Sequence, residues 1–179
     1  MRHGLFWVTR IVCLSIAALH SYAADKVTVT INHQTISAWR TADLEGAKKE
    51  AAAAHKPIAW IASSPEYLDG TGKISMNGSR GATLHAFYAL RDRTVLVFED
   101  GFAENHKVIA MVDVAIHSHN GEPDHHPILP VVVFLDPDVT QVLAKADFES
   151  DFVKRAHVLA DALAQADAKM NALPNEPRK

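Results

Sequence analysis

The chain is poor in the residues that mark several specialised classes of protein. Its 179 residues include one cysteine, Cys13, and eight glycines, and aromatic residues make up 7%. The formal charge of −3 comes from 18 basic and 21 acidic side chains, and no run of Lys or Arg could follow a phosphate backbone. The composition therefore excludes a disulfide scaffold and a collagen-like chain, and it disfavours a nucleic-acid partner.

Long apolar runs are missing after residue 23, where none reaches the ~20 residues that a membrane helix needs. Before that point, Arg2 and Arg10 accompany an apolar stretch over 11–19, and the sequence His20-Ser21-Tyr22-Ala23 follows it. Small residues stand at the two positions that a signal peptidase reads. Residues 1–23 are therefore predicted to be a secretory signal, cleaved after Ala23. The protein is expected to be secreted, in the periplasm, without a membrane span after cleavage.

Cleavage after Ala23 would remove Cys13 together with two arginines, which takes the formal charge from −3 to −5. The remaining chain has no sulfhydryl group, so it can form no disulfide and has no thiolate nucleophile or thiol metal ligand. Residues 24–173 are long enough for one domain with its own apolar core, and 174–179 are predicted to be a polar tail.

Hydrophobic periodicity predicts alternating strands and helices. Period-two alternation indicates a strand over 26–31, and continuous apolar runs indicate buried strands over 57–62, 94–98 and 131–135. Residues 140–144 are a predicted hairpin partner. Helical spacing indicates a helix capped by Thr41 that stops before Pro57, a short one around 84–91, and a long one that starts at Asp147 or Ser150 and stops before Pro174.

The segments between these elements are harder to interpret. Residues 102–118 fit both the helical and the alternating period, and their content of Ala, Met, Glu and Lys favours a helix, although the alternative of a strand stays open. The glycine-rich stretch 67–81 and the stretch 117–127 are predicted to be loops. Trp39 is placed in a linker.

This order of elements, with three local stretches, resembles the thioredoxin fold. The stretch Ala47-Lys48-Lys49-Glu50 leading to His55-Lys56-Pro57-Ile58 resembles the lead-in to the central strand of that family. The stretch Leu129-Pro130-Val131-Val132 resembles its cis-proline strand, and a hairpin and terminal helix follow. The resemblance covers most of 26–171. It implies an α/β fold with a central mixed sheet flanked by helices, a C-terminal β-hairpin, a covering helix, and a cis peptide bond before Pro130.

The chain departs from this family where the family carries its chemistry. A C-x-x-C motif normally follows the central strand at a helix N-terminus, where the helix dipole lowers the thiol pKa. Here the corresponding stretch, 63–72, begins with Ser63-Ser64-Pro65-Glu66 and contains no sulfur. Thiol-disulfide exchange by the mature chain is therefore excluded by its composition. The residues leave open whether the protein catalyses another reaction.

Two functional hypotheses follow. The first is a non-catalytic binding or accessory role in the periplasm or cell envelope, in which Ser63, Ser64, Leu129 and Pro130 contact a protein or peptide partner. The second is metal binding by His117, His119, His125 and His126, whose imidazoles, with Asp124, form a nitrogen and oxygen set that Zn(II) or Cu(II) accepts. The first hypothesis implies no cofactor.

Overall fold

The computed structural model describes residues 26–31, 34–68, 75–99, 109–119, 122–123 and 127–173. Over these residues the chain forms eight strands and four α-helices, which confirms the predicted α/β class. In chain order they are β1 (Lys26–Ile31), β2 (Gln34–Arg40), α1 (Leu44–Ala54), β3 (Ile58–Ala62), α2 (Ser79–Leu90), β4 (Val95–Glu99), α3 (Ala110–Ile116), β5 (Ser118–His119), β6 (Glu122–Pro123), β7 (Val131–Leu135), β8 (Val142–Ala146) and α4 (Phe152–Ala172). The predicted signal, 1–23, and the predicted tail, 174–179, lie outside the described residues.

Six of the described strands form one mixed sheet in the order β1-β2-β4-β3-β7-β8. The three inner strands β2, β4 and β3 are parallel, as expected for strands joined through the crossover helices α1 and α2. The direction then reverses, because β7 pairs antiparallel with β3 and with β8. At the other edge, β1 pairs antiparallel with β2. The predicted mixed sheet is therefore confirmed.

The sheet is buried on both faces, which explains why its central strands are continuous apolar runs. Every residue of β3, β4 and β7 is buried. One face packs on α2 and α4 through residues that include Phe87, Leu159 and Phe134. The other face packs on α1 and α3. Among the described helices, none combines the length and the apolar character needed to cross a membrane.

Several boundaries differ from the predictions. The segment placed in a linker contains β2, whose alternate residues Ile36 and Ala38 are buried. The predicted loop 67–81 begins with the end of a 3-10 turn over Pro65–Leu68 and ends with the first turn of α2. The hairpin partner of β7 starts two residues later than predicted, because Asp136 caps the turn by accepting bonds from the Thr140 and Gln141 amides.

Helix α4 is confirmed and ends at Ala172, before Pro174. It begins at Phe152, and its N-cap is Asp151, whose carboxylate accepts a bond from the Lys154 amide, where Asp147 or Ser150 had been expected. The helix predicted over 102–118 is present as α3, with 101–108 outside the described residues. It ends at Ile116, since His117 and Ser118 leave the helical conformation.

Trp39 attaches β1 and β2 to α1. Its indole Nε1 donates to Glu50 Oε2 at 2.8 Å, and Lys26 Nζ, 4.0 Å from the indole ring centroid, donates to the same oxygen at 2.9 Å. Partial burial raises the pKa of Glu50, but the bonds from Lys26 and Trp39 outweigh it and hold the pKa below its ordinary value of 4.5. The ring lies so close to Gly46 that a Cβ there would be 2.4 Å from the indole.

The substitution Gly46→Ala tests this packing. Alanine is ordinarily better than glycine in a helix by about 1 kcal/mol. Here we expect a net loss of stability of about 1–2 kcal/mol, because the methyl group displaces the indole from Glu50 and overpacks the contact. In a Trp39→Ala background the same substitution should stabilise the fold. Denaturant unfolding measures both effects, and stabilisation by Gly46→Ala in the wild-type background would show that the indole does not occupy this position.

Candidate functional site

The residues predicted to bind a partner lie where the central strands of the main sheet end, on the side of the sheet at which the chain leaves β3. We refer to this row of strand ends as the sheet edge. Ala62, the last residue of β3, pairs with Glu99 at the end of β4 and with Val131 at the start of β7. Because β7 runs antiparallel to β3, the residues that leave β3 and those that enter β7 meet at this edge. Ser63–Ser64 and Leu129–Pro130 are therefore brought side by side, although they are more than sixty residues apart in the chain.

These residues differ in their exposure. The Leu129–Pro130 peptide bond is cis, as the resemblance implies. Pro130 is buried, Leu129 is partly buried against the core, and the preceding Ile128 is 65% exposed. We call the surface formed by Ser64, Ile128 and Leu129, which lie over the buried Ser63 and Pro130, the strand-end surface. Its most accessible apolar side chain, Ile128, was not among the predicted site residues, and its position beside Leu129-Pro130 was the available signal.

Ser63 supports the strand-end surface from below. Its side chain is fully buried, and its Oγ lies 2.6 Å from Oγ1 of Thr83 on α2. The single hydroxyl hydrogen of Thr83 is donated to the Ser79 carbonyl at 2.9 Å, so Ser63 must be the donor to Thr83. These two bonds tie the end of β3 to the first turn of α2. Ser63, which was predicted to contact a partner, therefore positions its neighbours, and its side chain offers a partner no accessible surface.

Ser64 follows in a less buried position. It is half-buried, and its carbonyl accepts the Tyr67 amide at 3.0 Å, which starts the 3-10 turn. The Ser63 amide donates to the Glu99 carbonyl at 3.0 Å and extends the pairing of β3 with β4 by one residue. Two backbone hydrogen bonds therefore fix the chain as it leaves β3, one from Ser63 to β4 and one to Ser64 from the 3-10 turn.

A buried carboxylate lies beneath the same edge on the opposite face of the sheet. Glu99 is 2% exposed, and its Oε2 accepts a hydrogen bond from the indole Nε1 of Trp60, a fully buried residue of β3. Strand alternation places Glu99 on the same face as Val97, which packs with Trp60 in the α1 and α3 half of the core. Trp60 was predicted to be a core residue, and this is confirmed. No local pattern of residues indicated that Glu99 would be its buried acceptor.

The predicted metal ligands lie mostly beyond what the structure describes. His125, His126 and Asp124 are outside the described residues, as is the side chain of His119. His117 follows α3, exposed, with Nδ1 2.9 Å from the Asp113 carbonyl and 3.2 Å from its Oδ1. Among the residues that the structure describes, no group of three or more potential ligands converges. The metal hypothesis stays a prediction.

A short hairpin occupies part of the stretch predicted to be a loop. Ser118 pairs with Pro123 and His119 with Glu122, so that β5 and β6 are joined by the two residues Asn120-Gly121. Asn-Gly between two short strands is a strong hairpin signal, and it could have predicted the pairing of β5 with β6. The Ser118 carbonyl accepts a bond from Lys145 Nζ, which attaches the hairpin to β8.

Comparisons of this chain with protein-family models, with curated proteins and with solved structures found no match. The features of this chain that bear on its function are therefore the geometry of the strand-end surface and the groups that support it.

The hydrogen bond between Trp60 and Glu99 can be tested with two substitutions, of which one retains an acceptor for the indole N–H and the other does not. Glu99→Gln keeps an oxygen that can accept the indole N–H, whereas Glu99→Leu leaves that donor buried without this acceptor. We expect the Leu variant to be less stable than the Gln variant by about 1–3 kcal/mol. Denaturant unfolding monitored by tryptophan fluorescence measures the difference. Equal stability of the two variants would contradict the hydrogen bond.

Proposed function

We propose that this protein is exported and has a thioredoxin-like domain that binds a protein or peptide partner at the strand-end surface, without thiol chemistry. The observation that carries the proposal is the meeting of the end of β3 with the Leu129–Pro130 entry to β7 at one sheet edge. A bound chain that reached this edge would contact both segments at once.

The order of elements supports the thioredoxin-like assignment. From β2 onward the described elements follow the order strand, helix, strand, helix, strand, helix, then β7, β8 and α4, with β5 and β6 inserted after α3. The first three strands of the series are parallel, and the last two form an antiparallel hairpin that α4 covers. Strand β1 is an additional outer strand beside β2.

Binding in place of catalysis is favoured by the chemistry of the edge. Residues 24–179 contain no cysteine, so the groups after β3 cannot supply a thiolate. The Ser63 hydroxyl is buried and donates to Thr83, while Ile128 presents apolar surface to solvent. Apolar side chains beside a fixed backbone are the features by which a protein binds an extended peptide. This chemistry favours a partner with at least one apolar anchor residue.

Peptide selection tests the binding site. Peptides selected from a random library on the purified protein should perturb the backbone amide signals of Ser64 and Leu129 in NMR titrations. Ile128→Asp should weaken their binding at least tenfold, since burial of a large apolar side chain contributes about 1.5–3 kcal/mol. The control is Val114→Asp on α3, because Val114 is similarly exposed, at 68%, and should leave binding unchanged. Peptides that bind the two variants equally well would refute the proposed site.

Export is tested by the N-terminus of the protein found in cells. Signal cleavage predicts that the protein fractionates outside the cytoplasm and that its first residue is Ala24. Edman sequencing or intact mass of the purified protein gives the answer. A cytoplasmic protein that retains residues 1–23 would contradict export, and it would also retain Cys13.

A further inference from the structure

Arg155 is a buried cation that joins three separate parts of the chain. Its side chain lies in the first turns of α4 and is 3% exposed. Nη2 donates to the Met76 carbonyl at 2.6 Å, Nη1 donates to the Glu149 carbonyl at 2.8 Å, and Nε donates to Nδ1 of His85 on α2 at 3.2 Å. The guanidinium thus connects α4, α2 and the segment 75–78 that leads into α2.

The bond to His85 defines the protonation state of the imidazole. A guanidinium donates only, so Nδ1 must be an acceptor and the imidazole must be neutral with its proton on Nε2. Protonation of Nδ1 would remove the acceptor and place two cations 3.2 Å apart at a partly buried position. Phe152 covers the pair, with its ring centroid 4.5 Å from that of His85 and 5.6 Å from the Arg155 Cζ.

Segment 75–78 is packed tightly against the start of α2. A Cβ at Gly81 would lie 2.3 Å from the Ser75 carbonyl oxygen and 2.6 Å from the Met76 Cα, so the two backbones are in direct contact. The Gly78 amide donates to the Ser75 carbonyl at 3.2 Å, and the Ala82 amide donates to the Gly78 carbonyl at 2.9 Å. The first bond lies within segment 75–78, and the second joins this segment to the first turn of α2.

The surrounding charges determine how His85 titrates. Burial and the neighbouring Arg155 cation both lower the pKa of His85 below its ordinary value of 6.5. Burial also lowers the pKa of Arg155, and the nearby carboxylates of Glu149 and Asp151 partly offset this effect. Other charged groups lie on α2 or on the elements packed against it, among them Arg80, Glu66 and Lys26. These groups do not contribute to the lowered pKa of His85.

We infer that protonation of His85 releases Arg155 and loosens segment 75–78 from α2 and α4. Acidification would then make segment 75–78 less ordered. This inference does not depend on partner binding. It links pH to the strand-end surface through α2, because Thr83 in the same helix accepts the bond from Ser63.

The direction of the pH effect follows from the lowered pKa of His85. Above pH 6.5 the imidazole is neutral in both the folded and the unfolded chain, and the full contribution to stability is present. As the pH falls below 6.5, the unfolded chain binds a proton before the folded chain does. Stability is then lost progressively, and the loss is complete once the pH lies below the folded-state pKa.

Hydrogen exchange tests the inference at individual amides. We expect the protection factors of the Gly78 and Ala82 amides to fall several-fold in the wild-type protein between about pH 7 and pH 5, the range in which histidines titrate. His85→Gln retains an oxygen acceptor for Arg155 and does not titrate, so its protection factors should stay constant. The control His157→Gln removes an exposed histidine of α4 and should behave as the wild type does.

Two outcomes would overturn the inference. One is a loss of protection in His85→Gln as large as that in the wild type, which would show that another group controls the segment. The other is an NMR titration of the His85 ring in the wild-type protein that gives a pKa at or above 6.5. The second measurement needs no variant, so it can overturn the inference even if His85→Gln fails to fold.

Discussion

The antiparallel pairing of β7 with β3 is the constraint on which the rest of the structure depends. In a wholly parallel sheet, the chain would enter β7 at the opposite edge from the one where it leaves β3, and Pro130 would lie a strand length away from Ser63. The reversal brings these segments together. The chain then returns as β8, antiparallel to β7, through the turn that Asp136 caps, so no long crossover is needed there. The strand-end surface is thus a consequence of strand direction.

The groups beneath that surface are satisfied within the protein. On one face of the sheet the Glu99 carboxylate accepts the Trp60 indole N–H, and on the other face Ser63 donates to Thr83. Buried polar groups with such partners keep a local backbone fixed, because breaking any of these bonds leaves a donor or acceptor unsatisfied. A partner would therefore meet a rigid edge with an accessible Ile128, and its binding energy would have to come from apolar burial and backbone contacts.

Much of the fold could be predicted because its central strands are buried on both faces and contain few polar residues. Strands β1 and β7 were predicted with their exact limits, and β3 and β4 within one residue, since alternation identifies a half-buried strand and continuous apolar runs identify buried ones. Strand β2 was missed because its buried residues, Ile36 and Ala38, are separated by polar ones and give weak alternation. A mixed sheet with a late hairpin was expected from the resemblance, whereas the antiparallel pairing of β7 with β3 is known only from the structure.

The site was less accessible to prediction from sequence. The proximity of Ser63 and Pro130 followed from the expected topology, but the burial of Ser63 depends on Thr83, twenty residues away and on another element. The hydrogen bond between Arg155 and His85 joins residues 70 positions apart, and no local pattern in the sequence predicts it. Contacts of this kind depend on how helices pack, and periodicity carries no information about which polar side chains will meet.

The register of β7 against β3 is the central claim, and NMR spectroscopy tests it most directly. Backbone NOEs should connect Ala62 with Val131, Trp60 with Val133 and Ile58 with Leu135, because these residues are directly opposite in the antiparallel pair. NOEs that instead connect Ala62 with Leu135 and Ile58 with Val131 would indicate a parallel pair. That result would separate Ser63 from Pro130 and remove the strand-end surface.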